Sequence, residues 1–370
     1  YLLQGLAAYP VRLTLANLSP GDPGEAAVEA LGIPVERIPP SRWKVDRIAR
    51  LAVWLRRERP LLVHSWSFFG NTYTAWAGAA AGVPLRLGCL RGDAFYDFTR
   101  PGQAPPLFMR LGLETPHAVV ANSTAAAAAI EERGPRRARM RVVHNGLDLA
   151  ALRAAAFSPL TTHHSPLTTP VLALVGSMIP RKNVPMFLRV IRRLSGRYPA
   201  IEGWLIGEGP ERAAVEALAG EMGVTKHVRF WGRQANVPRL LTGVEVLCHC
   251  AHSEGLSNAI MEASALGLPV VVTRSGGTAE IVEDGVTGFT VDLDDDAAMA
   301  SHVGRLLADT DLRMAMGEAG RRKMEREFSL ERMVRDMTAV YHGLLGDRGA
   351  EAFGRSGVRA FEPEVEGLNA

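Results

Sequence analysis

Short apolar runs alternate with longer stretches of helical period along this chain, and the alternation halts once and then resumes. Runs such as Leu61–Val63, Leu85–Leu90, Ala118–Ala121, Val171–Gly176 and Pro269–Thr273 read as strands bounded by turn residues. Between them lie patterns such as Asp46–Arg59, where Ile48, Leu51, Ala52 and Leu55 share one helical face. A strand that returns through a helix pairs in parallel with the previous one by a right-handed crossover. The expected class is therefore α/β, doubly wound.

The halt falls at 153–170, an Ala-rich stretch followed by a doubled Ser-Pro-Leu-Thr-Thr, which has the composition of a linker. A chain of 370 residues exceeds one ordinary domain of roughly 100–200 residues. The division expected is 1–152, linker 153–170, second domain 171–328, a helix over 329–345 and an aperiodic tail over 346–370. Two facing sheets of this kind place ligands outside the carboxyl ends of their strands, in the cleft between the halves.

Hydrophobic residues make up 47 % and charged residues 22 %, enough apolar material for two cores, which excludes wholesale disorder. A net charge of +3 gives no reason to expect a nucleic-acid partner. Three cysteines, an odd number, cannot make a disulfide framework; with no secretory segment read at the start, they set the expectation of a cytoplasmic protein. Leu61 to Leu85 carries no Asp, Glu, Lys or Arg, but its His64, Ser65, Asn71 and Thr72 and its small residues fit a buried strand and helix better than a membrane span.

Chemistry concentrates in three strand-to-helix turns of the second half. In Ser253-Glu-Gly-Leu-Ser-Asn-Ala-Ile-Met-Glu262 the turn opens a helix, whose N-terminal amides suit an anion or sugar hydroxyls. Glu254 and Glu262 there suit paired hydroxyls, since carboxylates only accept. In Val175-Gly-Ser-Met-Ile-Pro-Arg-Lys-Asn183, Arg181 and Lys182 sit at a helix start, where cations need a compensating negative charge that a diphosphate would supply. Thr273-Arg-Ser-Gly-Gly-Thr-Ala-Glu280 is a third glycine-rich turn and completes the expected pocket wall.

In this order the turns resemble the donor-binding half of family 4 glycosyltransferases, which have the GT-B fold of two Rossmann-like domains. The matching positions are Gly176, Lys182, Gly207-Glu-Gly209, Glu254-Gly255, Glu262 and Gly276-Gly-Thr-Ala-Glu280. Asn145-Gly-Leu-Asp148 is similar to the family's end-of-domain signature. Phe328-Ser-Leu-Glu-Arg-Met333 is similar to its final helix, which crosses back to the first domain. The resemblance implies metal-independent, retaining transfer of a sugar from a UDP- or GDP-linked donor, a substrate rather than a cofactor, to a glycan, lipid or small-molecule acceptor. It implies that Arg181 and Lys182 neutralise the leaving diphosphate and that Glu262 holds the ribose. Glu254 and the amides of Leu256, Ser257 and Asn258 would orient the sugar, Arg233 would lie near the base, and Gly176 would line the phosphate turn. Three departures stand out. Ser177 replaces a frequent arginine, Arg91 takes the place of a frequent histidine beside the sugar, and the family's first strand with its Gly-Gly loop is expected to be missing ahead of Tyr1.

Other clusters have plainer readings. Cys248-His-Cys250 with His252 resembles a metal set, but on a strand His249 points away from both cysteines. Asp292–Asp296 precedes a helix and reads as N-capping. Arg42 to Arg59, with Trp43 and Trp54, reads as a surface helix, with peripheral contact to anionic lipid at the inner membrane surface as the alternative. His64 lines the cleft or serves the core, and His163-His164 is inert linker. A nucleotide-sugar 2-epimerase and a catalytically silent sugar-nucleotide-binding protein remain open beside the transferase. A Rossmann dehydrogenase does not, because Gly207-Glu-Gly-Pro210 lacks the third glycine.

Overall fold

A computed structural model describes residues 2–7, 9, 11–18, 24–92, 107–133, 139–157 and 169–346. His163-His164, Asp93 and the tail beyond 346 lie outside these residues.

In the first half, β1 (Leu15–Asn17) pairs in parallel with β2 (Val35–Arg37). A separate parallel sheet runs β3 (Leu62–His64), β4 (Leu85–Leu90), β5 (Ala118–Ala121), β6 (Met140–Val142), in that spatial order. The charge-free stretch is β3 followed by the helix Gly70–Ala80. Asn71, fully buried on that helix, bonds the β4 edge twice: its Nδ2 donates to the Cys89 carbonyl (3.0 Å) and its Oδ1 accepts from the Cys89 amide (2.8 Å). The buried polar side chain is thus satisfied and fixes the helix on the sheet.

The second half is one parallel sheet of β7 (Val171–Val175), β8 (Glu202–Ile206), β9 (Val228–Gly232), β10 (Val246–His249), β11 (Val270–Thr273) and β12 (Gly288–Val291), ordered β12-β11-β10-β7-β8-β9. Strand β7 is apolar on both faces because helices cover both: Leu172 and Leu174 join one core cluster, Val171 and Ala173 the other. The strand order reverses between β7 and β10, which makes the crevice beyond their carboxyl ends the expected ligand position.

An 18-residue helix, Thr310–Glu327, has no counterpart in the sequence reading. Its buried positions include Gly317 and Gly320, so its apolar stripe is diluted by residues with no side chain. Close approach requires one of them: a Cβ on Gly317 would lie 1.9 Å from the Gly267 carbonyl. The helices Leu107–Glu114 and Leu149–Ala156 were also unmarked in the sequence, and the second corrects the expected linker: its Ala-rich start, 153–156, is helical, with Ala156 buried.

The halves meet at Leu147 and Ser329, which form a β-bridge. From there the helix Leu330–Leu345, capped by Ser329 Oγ on the Arg332 amide (3.2 Å), returns to the first half. Its Met333, Val334, Met337 and Tyr341 pack with Leu85, Leu87, Val120 and Val143.

Candidate active site

The turn after β7 and the turn after β10 bring three of the expected residues into contact. Lys182 Nζ is ion-paired to Glu254 Oε2. Arg181 Nη1 lies 3.4 Å from Glu254 Oε1 and donates to the Ser253 carbonyl (3.2 Å). The negative charge that compensates two cations at a helix start is therefore, in this structure, Glu254 itself. The Glu254 side chain is only 12 % exposed. Burial opposes its ionisation, but His249 and Lys182 outweigh that and hold the carboxyl well below the usual carboxylate range.

Glycines let these turns close. Gly207 adopts φ 145° and a Cβ there would fall 2.0 Å from the Gly176 carbonyl. The Lys182 stem lies across Gly176, 3.4 Å from where a Cβ would stand. Gly276, at φ 51°, lets the third turn lie directly on Glu254, whose carbonyl would be 1.8 Å from a Cβ.

The helix Asn258–Ala265 begins here, and the amides of Leu256, Ser257 and Asn258 find no acceptor among the described residues. Arg181 and Lys182 contact residues 252–254 of the loop that leads into this helix, and open amides at a helix start suit an anion. Glu262 projects from the helix with no side-chain partner among the described residues, and burial pushes its carboxyl up to about 7. Arg233 stands exposed just past β9, and Ser177 is exposed on the turn after β7.

The first half reaches this loop directly. Arg91 Nη2 donates to Asn145 Oδ1 (2.7 Å), and Asn145 Nδ2 donates to Asn258 Oδ1 (3.0 Å). Arg91 also lies over the Trp66 ring, 4.4 Å from its centroid. Behind them is a small recess lined by His64, Trp66, Arg91, Asn122, Asn145 and Met337 among others. His64 Nδ1 contacts the Tyr341 hydroxyl at 3.0 Å; burial, aided by the charge of Arg91, lowers its pKa to about 4. Of the two alternatives for His64, the contact with Tyr341 shows the structural one: it braces the returning helix, and the recess it lines is walled by the first half and that helix.

A second bridge escaped the sequence reading. Glu280, from the third turn, accepts from the amides of Thr124 (2.9 Å) and Ala125 (3.0 Å) and faces His144 Nε2 at 2.8 Å. Ser123 Oγ accepts from the next amide, Ala126 (3.1 Å). One helix of the first half is therefore capped jointly by its own serine and by a carboxylate of the second half.

The remaining clusters separate as their chemistry predicts. Cys248 and Cys250 enter the core cluster on one face of β10, while His249 turns toward Glu254. Asp295 caps its helix on the Ala298 amide (2.8 Å); Asp296 pairs with Arg189 and Arg193, and Asp294 with His252. No group of three or more His, Cys, Asp or Glu that could hold a metal ion occurs among the described residues.

Two family profiles match this chain: "Glycosyl transferases group 1" over residues 162–323 and "Glycosyl transferase 4-like domain" over residues 2–146. The chain belongs to the family 4 glycosyltransferases. Among curated relatives, the lipopolysaccharide core biosynthesis glycosyltransferase LpsE of Rhizobium meliloti is 32 % identical over 58 % of this chain and 60 % of its own length. The GDP-mannose-dependent α-(1-6)-phosphatidylinositol monomannoside mannosyltransferase of Mycolicibacterium smegmatis is 36 % identical over 41 % of this chain and 42 % of its own. The chain thus spans less than two thirds of the length of these relatives. In fold it is similar to Anabaena HepE in complex with UDP-glucose, with TM-score 0.79, 18 % identity and coverage of 92 % and 94 %. It is likewise similar to sucrose-phosphate synthase of Thermosynechococcus elongatus, with TM-score 0.75, 19 % identity and coverage of 93 % and 92 %. The fold is GT-B, as the family resemblance implied.

Proposed function

We propose that the chain transfers a sugar, with retention and without a metal, from a UDP- or GDP-linked donor to a hydroxyl of a glycan, lipid or small molecule. The observation that carries this reading is the contact of Arg181 and Lys182, on the turn after β7, with the loop after β10 that opens the helix at Asn258, where the strand order reverses. A diphosphate seated there meets two cations and a helix N-terminus, so charge developing on the leaving group is stabilised. Glu262, alone on its helix face, takes the ribose hydroxyls; Arg91 and Trp66 take the sugar side; Arg233 lies toward the base. Thermal-shift screening against UDP- and GDP-sugars, followed by product analysis with candidate acceptors, tests it. Absence of stabilisation by every nucleotide sugar would overturn the reading.

The weakened acidity of Glu262 gives a specific expectation. Its folded-state pKa of about 7 lies above the ordinary value of 4.5, so it costs stability progressively as pH rises between the two. A nucleotide sugar, whose diester phosphates do not titrate near neutrality, should bind the ionised carboxylate. Affinity is expected to rise about tenfold from roughly pH 6 to roughly pH 8, by linkage. Glu262→Gln should flatten that profile, as followed by titration calorimetry across the range.

The same reading places the first half against an anionic membrane at the cytoplasmic side. Supporting it, the helix Lys44–Glu58 and its N-cap expose Trp43, Val45 and Val53, ringed by Arg42, Arg50, Arg56 and Arg57. Trp54, expected to join Trp43 there, is instead half-buried against the core cluster that includes Leu51 and Leu55. Cys89, Cys248 and Cys250 are buried free thiols. No helix among the described residues is long and apolar enough to cross a membrane. Sedimentation with phosphatidylglycerol vesicles, weakened by high salt and lost in Trp43→Ala/Arg50→Ala, is the expected result. Equal sedimentation with phosphatidylcholine vesicles would count against it.

A further inference from the structure

Three groups face the Glu254 carboxylate, from different parts of the fold. Arg181 and Lys182 belong to a single 3-10 turn, Pro180–Lys182, outside the sheet. His249 is the last residue of β10, in register with Val272 of β11, its side chain only 3 % exposed. Its Nε2 lies 3.3 Å from Glu254 Oε2, yet makes no aligned hydrogen bond to any described residue. Lys182 occupies the same carboxylate oxygen.

That arrangement cannot persist once a diphosphate arrives, if the donor-site reading on which this inference rests is right. A diphosphate competes for both cations, and a mostly buried carboxylate stripped of its partners is costly. Among the described residues, His249 is the only other group that faces it. We propose that His249 is a positioning residue: as Arg181 and Lys182 turn to the phosphates, its Nε2–H takes over Glu254 Oε2 and keeps that carboxylate aimed at the donor sugar. A neutral imidazole suffices, since it carries one N–H, and no net charge has to be buried with it. The rigid strand supplies the fixed point that the loop cations cannot. His249 acts on the sugar only through Glu254, so its removal affects recognition of the sugar and spares the nucleotide.

The test compares two ligand pairs, UDP with UDP-glucose and GDP with GDP-mannose, by titration calorimetry on the whole chain. In His249→Asn, too short to reach Glu254, the ratio of sugar-nucleotide to diphosphate affinity is expected to fall about tenfold, the value of one lost charge-assisted hydrogen bond. Diphosphate affinity itself should stay within about twofold. His249→Phe should behave like Asn, and His249→Gln, whose Nε2 reaches the imidazole position, should restore the ratio. A ratio unchanged in the Asn variant overturns the proposal. So does a parallel loss for both ligands tracking a lower melting temperature, which is what a purely structural histidine would give. Wild-type protein that binds none of the four ligands overturns the donor-site reading as well, and that outcome is distinct from the other two.

Discussion

Lys182→Ala is expected to weaken nucleotide-sugar binding by roughly 1–3 kcal/mol, the range for a lost charge-assisted contact. The same change should lower the melting temperature, because it strands Glu254. Both partners are nearly enclosed, at 13 % and 12 % side-chain exposure. Removing one member of a buried pair costs about 3–5 kcal/mol when nothing replaces it, and Arg181 and His249 offset part of that here. The two effects separate in the double variant Lys182→Ala/Glu254→Gln, which should regain stability without regaining donor affinity. The pH dependence follows from the sign of the Glu254 shift. Its carboxyl is depressed, so the pair stabilises the fold above the ordinary glutamate range and loses that contribution as pH falls below it. Calorimetric titration with UDP- and GDP-sugars, alongside thermal melts at neutral and acid pH, checks both parts. Donor affinity equal to wild type would remove Lys182 from the site.

Glu280→Ala should loosen the two halves from one another. The carboxylate serves two helix-start amides and His144 across the gap, with its side chain 20 % exposed. Hydrogen bonds to charged groups contribute about 1.5–3 kcal/mol each, less where water reaches them, so a total near 2–3 kcal/mol is expected. The expected observation is a larger radius of gyration by small-angle scattering and a lower turnover, with nucleotide affinity little changed. Its carboxyl is depressed as well: burial opposes ionisation, but His144 and the two amides prevail. The bridge is therefore present above the ordinary glutamate range and weakens as pH drops through it. Scattering and turnover indistinguishable from wild type would show that other contacts alone set how the two halves meet.

What the sequence disclosed was whatever a local pattern encodes. The strands Leu85–Leu90, Ala118–Ala121 and Gly288–Val291 and the helix Val237–Leu241 were legible to the residue, because apolar period and flanking turn residues agree there. So was the cationic turn at Arg181-Lys182, since its charge at a helix start demands an explanation. The partner of that charge was not legible, because Glu254 lies more than seventy positions away and only strand order makes β7 and β10 neighbours. Glu280 was visible as part of a glycine-rich turn, but its task concerns a helix beginning at Thr124 in the other half. His249 drew notice for the wrong reason, its cysteine neighbours. The useful signal was alternation, which sends a residue between two core-facing cysteines to the opposite face of the strand. Thr310–Glu327 went unmarked because glycine supplies two of its four buried residues.

The returning helix, Leu330–Leu345, has a consequence for how the molecule is made. Its Met333, Met337 and Tyr341 fill the interior of the half that is synthesised first, yet they leave the ribosome only after every strand of the second half. The later-synthesised half holds all six of its strands within residues 171–291 and is complete before that helix emerges. Maturation on the ribosome should therefore run against the order of translation, the earlier-born lobe waiting half-assembled for its closing piece.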